Sequence, residues 1–88
     1  MANSAQAKKR ARQALKRRAH NMAQRSQLRT AIKRVISAIR GGDRGEAEGA
    51  YRSAVPVIDR MCGKGLIHKN KAARHKSRLN DHIRAMAA

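Results

Sequence analysis

The stretch Arg25–Glu46, RSQLRTAIKRVISAIRGGDRGE, decides the fold. Leu28, Ala31, Ile32, Val35, Ile36 and Ile39 recur at steps of three and four. That spacing places them on one side of an α-helix. Arg29, Lys33, Arg34 and Arg40 fall off the stripe. Gly41-Gly42 then stop it, because a helix end often needs a left-handed residue and glycine takes that conformation freely. Asp43 and Glu46 follow in the D-x-x-E spacing of a capping box, which starts the next helix. A helix, a tight stop and a new start lie within one short segment, so two antiparallel helices are predicted here.

Working upstream, no Pro or Gly interrupts the chain, and Ala, Lys, Arg, Gln and Leu dominate it. One helix over residues 4–40 is predicted, about 50 Å long at about 1.5 Å per residue. Its first half differs from its second. Lys8, Lys9, Arg10, Arg12, Lys16, Arg17, Arg18 and Arg25 point all round the axis. Leu15, Ala19 and Met22 fall on a different side from the later stripe. A helix charged on every side has no face to pack against protein. Residues 1–27 are therefore expected to project from a bundle made by residues 28–88. Like charges at i,i+4, as in Lys8, Arg12 and Lys16, disfavour the isolated helix. The projecting part is expected to fray when free and to become helical on binding.

Working downstream, Ala47, Ala50, Tyr51, Ala54, Ile58, Met61 and Cys62 keep helical spacing over residues 43–62. Pro56 interrupts that pattern, removing a donor and predicting a bend. Gly63 and Gly65 end it. Leu66 to Lys69 connect to a third helix over about 69–86, with Asn70 as its expected N-cap. Ala72, His75, Lys76, Leu79, Ile83 and Met86 share its inner face. No segment alternates like a strand. The fold class is all-α, a three-helix up-down-up bundle whose long first helix extends beyond it.

Charge then narrows the function. The chain of 88 residues carries 22 Lys and Arg against 5 Asp and Glu, a net charge of +17. Such a chain seeks a polyanion: RNA, DNA or an anionic membrane. A membrane-active helix is disfavoured because the basic half lacks a wide apolar face. A DNA-compacting, histone-like protein is permitted by composition alone. Tyr51 is the only aromatic residue, so neither stacked single strands nor aromatic sheet platforms are provided for. Contacts with phosphates, sugars and shape remain, and they suit structured RNA.

Two basic groups stand out. One is the first helix. The other, Lys64, His68, Lys69, Asn70, Lys71, Arg74, His75, Lys76 and Arg78, gathers around a helix start, where backbone N–H groups add phosphate donors. Between them lies a nearly neutral segment. No paired carboxylates, glycine-rich phosphate loop or activated thiol is present, so no enzyme is expected. Cys62 has no second cysteine to pair with, and His20, His68, His75 and His82 have Lys and Arg as neighbours, so neither a metal nor a cofactor is expected.

The block Lys64–Leu79, KGLIHKNKAARHKSRL, together with NSAQAKKRAR at residues 3–12 and Arg25-Ser26, Arg29-Thr30 and Lys33, resembles the bacterial small-subunit ribosomal protein family numbered twenty. The resemblance covers essentially the whole chain. It implies a three-helix bundle in the cytoplasm, within the small ribosomal subunit. Its partners there are 16S ribosomal RNA, through the 5′ domain and the 3′ minor-domain helix, and neighbouring ribosomal components. It implies no membrane, small-molecule or self-association partner. Carried over by position, the RNA contacts would be Lys8, Lys9, Arg10, Arg12, Arg17, Arg18, Arg25, Ser26, Arg29, Thr30 and Lys33 in the first helix. In the second block they would be His68, Lys69, Asn70, Arg74, Lys76, Ser77 and Arg78. Lys16, Lys64 and Lys71 join them on charge and placement.

Overall fold

A computed structural model describes the backbone of residues 2–86 and the side chains of residues 4–86. Three helices follow one another: α1 (Ala2–Gly41), α2 (Arg44–Gly63) and α3 (Lys69–Arg84). α2 is the central element. It packs along the second half of α1 on one side and against α3 on the other, while α1 and α3 touch over a shorter length. The molecule measures 68 × 22 × 15 Å. The long dimension comes from α1, whose 40 residues span about 60 Å at about 1.5 Å each.

The turn between α1 and α2 takes two residues. Gly42 has φ +81°, and its N–H donates to the Ile39 carbonyl at 3.1 Å. A side chain there would crowd the backbone, so glycine is the residue that fits. Asp43 caps α2 by accepting from the Glu46 N–H at 3.1 Å, as the capping-box spacing predicts. α2 continues as one helix through Pro56, which stands exposed. It ends in a Schellman motif. The Leu66 N–H donates to Met61 O and the Gly65 N–H to Cys62 O, both at 3.0 Å, and Gly65 has φ +76°. That motif turns the chain back for α3.

The start of α3 departs from expectation. His68, not Asn70, is the N-cap, its Nδ1 accepting from the Asn70 N–H at 3.1 Å. The reason is stereochemical. Nδ1 of histidine sits two bonds beyond Cβ, where the side-chain oxygen of Asn or Asp sits, so an imidazole unprotonated there can cap. His68→Ala should therefore destabilise the protein by about 1 kcal/mol in urea unfolding, and His68→Asn should restore most of that loss. α3 also ends earlier than residue 86, at Arg84. Met86 lies past the end, and its carbonyl accepts from Arg44 Nη1 at 3.3 Å.

The core is built from small and branched side chains. Val35, Ala47, Ala54, Ile58, Met61, Ala72, Leu79 and Ile83 are buried in it, joined by Leu28 and Ala38. Alanines on α2 let the α1 and α2 axes approach closely, which shape-fills a core that contains no Phe or Trp. Tyr51 sits at the edge, its hydroxyl donating to the Lys76 carbonyl at 3.2 Å. Cys62 is free and half-buried against the core. Packing begins on α1 at Asn21, half-buried, and Gln24, only 7% exposed. Every residue from Ser4 to His20 is exposed. Leu15 at 66% and Met22 at 63% exposure are the large apolar residues left in solvent, as expected for side chains off the packing stripe.

Candidate nucleic-acid interface

The residues expected to meet an anion fall into three places. Lys8, Lys9, Arg10, Arg12, Lys16, Arg17 and Arg18 lie on the exposed first half of α1 with no acid among them. Backbone hydrogen bonds hold that half as a helix, and its first turn carries no acidic side chain to offset the charge.

Further along α1 the structure separates residues that are adjacent in sequence. Arg25, Arg29 and Lys33 climb one side at four-residue steps and line a cleft against α3. Lys71 and His75 line the same cleft from α3. Ser26 and Thr30 face the other way, into a furrow between α1 and α2. Arg34, Ser37, Ser53 and Arg60 line that furrow too. Arg34 and Arg60 were not among the expected contacts. The signal for the first was available as the four-residue series Ser26, Thr30, Arg34, which runs parallel to the series Arg25, Arg29, Lys33.

The third place is the beginning and outer face of α3. Lys64, His68, Lys69, Asn70, Lys71, Arg74, Ser77 and Arg78 are exposed there. Lys76 differs. Its Nζ lies 2.8 Å from Asp59 Oδ1 on α2. The hydrogen bond from Lys76 to that carboxylate, and then the carboxylate's charge, hold the amine above its ordinary value. Lys76 thus ties α3 to α2, and an arriving phosphate must compete with Asp59 for it. Arg44 is engaged similarly, at 3.1 Å from Glu48. Four of the five acids, Asp43, Glu46, Glu48 and Asp59, lie on or beside α2, and the fifth, Asp81, lies on α3.

His75 is half-buried. Burial first, and then the charges of Lys71, Arg74 and Arg78, push its imidazole below the ordinary 6.5. Both effects favour the uncharged imidazole in the free chain. Among the described residues no group of three His, Cys, Asp or Glu side chains is placed to hold a metal ion. Nor, among the described residues, is any helix long and apolar enough to cross a membrane.

The sequence that builds this arm and bundle matches a known family. The family described as Ribosomal protein S20 matches residues 2–84. The chain belongs to that family. The S20 relatives align over nearly their full length. The small ribosomal subunit protein bS20 of Alkalilimnicola ehrlichii is 70% identical over 84 residues, covering 96% of each chain. That of Acinetobacter baumannii is 68% identical over 87 residues, covering 99% of each. That of Acinetobacter baylyi is 65% identical over 88 residues, covering 100% of this chain and 99% of the relative. S20 proteins are structural proteins of the ribosome and not enzymes.

Proposed function

We infer that the chain is a structural component of the small ribosomal subunit, as its relatives are by name, and that it binds 16S ribosomal RNA directly. The reading places it in the cytoplasmic ribosome, bridging RNA of the 5′ domain and the 3′ minor-domain helix and stabilising their packing as the subunit assembles. One observation carries it: from Ser4 to His20 every side chain is exposed and seven are Lys or Arg, with no acid. A helix so charged finds its lowest free energy with phosphates around it, because each one neutralised releases condensed counterions to bulk solution.

The bundle has a different task. It fixes the angle at which the arm leaves and offers a second set of cations, from Arg25, Arg29 and Lys33 on α1 to Lys69, Asn70, Lys71, Arg74, Ser77 and Arg78 on α3. Arg is the commoner cation, and its planar fork matches phosphate oxygens two at a time. Contacts of this kind set register and orientation, and the shape of the folded RNA supplies specificity.

Filter binding to a 16S 5′-domain transcript over a range of salt concentrations tests the reading. About eight neutralised phosphates give a log-affinity slope against log salt of about −6 to −7. A slope of about −2 would overturn backbone neutralisation as the source of affinity.

A further inference from the structure

The sequence separates two basic groups by a neutral segment, yet the fold brings members of both to one cleft. Arg25, Arg29 and Lys33 line one wall from α1, and Lys71 and His75 line the other from α3. The 64–68 connection adds only Leu66 and Ile67 to the lining, and α2 adds nothing. The floor is apolar: Leu28 is buried, and Ile32, Leu66 and Ile67 are half-buried. Among the described residues no carboxylate lines the cleft. These cations are exposed like those of the arm but come from two helices, so an anion in the cleft meets several at once.

We propose that this cleft is a discrete phosphodiester seat, in which Arg25, Arg29, Lys33 and Lys71 grip a backbone phosphate and the His75 ring N–H donates to the same anion. The proposal rests on the RNA-binding reading and adds to it a site and a proton. Sharing the cleft with His75 are Arg25, Arg29 and Lys33 from α1 and Lys71 from its own helix, where Arg74 and Arg78 also lie close in sequence. All are cationic. With the cleft empty, burial and then the charges of Lys71, Arg74 and Arg78 oppose a charge on the imidazole. A phosphate in their midst reverses the local potential, and the ring then takes a proton from solvent. Binding and protonation are linked, so affinity rises as pH falls between the two values of the ring's pKa, free and bound.

The part of the pH dependence that disappears with His75 is the part this cleft contributes. The other histidines, His20, His68 and His82, are exposed and outside the cleft. Whatever pH dependence they add survives the loss of His75.

The test uses the full chain and a 16S 5′-domain transcript at fixed salt. The wild type should bind several-fold tighter at about pH 6 than at about pH 8, with a ceiling of about tenfold per pH unit for one linked proton. His75→Gln keeps a hydrogen-bonding amide but cannot titrate, and it should lose most of that difference. Independently, the His75 ring resonances of the wild type at neutral pH should move from the neutral to the charged pattern when RNA is added. This second measurement stands even if the variant folds poorly. A wild type that binds RNA equally well at both pH values, with unmoved His75 resonances, would overturn the seat and leave the RNA-binding reading intact. A wild type that fails to bind the transcript would overturn both. If inorganic phosphate moved the resonances and RNA did not, the seat would belong to a free anion and the backbone assignment would fall.

Discussion

Removal of residues 1–20 is expected to leave a folded bundle that binds its RNA at least about a hundredfold more weakly at physiological salt. The deletion takes out Lys8, Lys9, Arg10, Arg12, Lys16, Arg17 and Arg18, and every described side chain it removes is exposed. The magnitude follows from counterion release. If about half of the neutralised phosphates lie along the arm, the salt slope should shrink to about −3, and the affinity they carried is lost with them. The cut must fall at residue 20, because Asn21 is already half-buried and Gln24 is buried against the bundle. Circular dichroism should show the shortened chain keeping the helical signal of the bundle, with its thermal midpoint nearly unchanged. Unaltered RNA affinity in the truncated chain would refute the division of labour between arm and bundle.

The second large effect is on stability. Ile58 has no exposed surface and lies in the second half of α2, the helix that both others pack against. Ile58→Ala removes the methylene contacts and leaves a cavity that the surrounding alanines cannot fill. The expected cost is about 3 kcal/mol, within the range for large aliphatic truncations. Domains of this size are marginal, since they bury a smaller fraction of their surface than larger ones do. A loss of that size should lower Tm by more than about 10 °C. It should also weaken RNA binding at temperatures where the bundle is partly unfolded. Saturating RNA should recover part of the lost Tm, because a ligand that binds only the folded form stabilises it by mass action. A drop of less than about 1 kcal/mol in urea unfolding would show that the core repacks around the gap.

Much of the fold was legible from local chemistry. The apolar stripe from Leu28 to Ile39, the Gly41-Gly42 stop and the Asp43 cap each report on a few neighbouring residues, so a sequence displays them directly. The same holds for the inner face of α3, where Ala72, Leu79 and Ile83 are buried and His75 and Lys76 are half-buried. The cap of α3 was misplaced because a histidine seldom serves as one, while the asparagine two residues on is a common choice. Gln24 and Ala38 are buried although neither signals it by hydrophobicity alone, since burial of small or polar residues depends on which neighbour crosses at that height.

The candidate interface was legible as charge and not as geometry. Residue type identifies Lys76 as a cation, but only the packing of α3 on α2 brings Asp59 to its amine. Likewise Arg25 and Ser26 are one residue apart and open onto different grooves, because each step around a helix turns the side chain by about 100°. The meeting of Arg29 and Lys71 across a cleft involves more than forty intervening residues. No local pattern encodes a contact of that range.

The exposed arm has a consequence for how long the chain survives before it finds its RNA. A segment whose described side chains are all exposed opens locally at little free-energy cost, and open backbone is what proteases cut. Seven basic side chains from Lys8 to Arg18 offer that many sites to a protease selective for Lys and Arg. Limited digestion with such a protease should therefore clip the free chain within the arm first, and bound RNA should slow that cleavage while leaving the rate within the bundle unchanged.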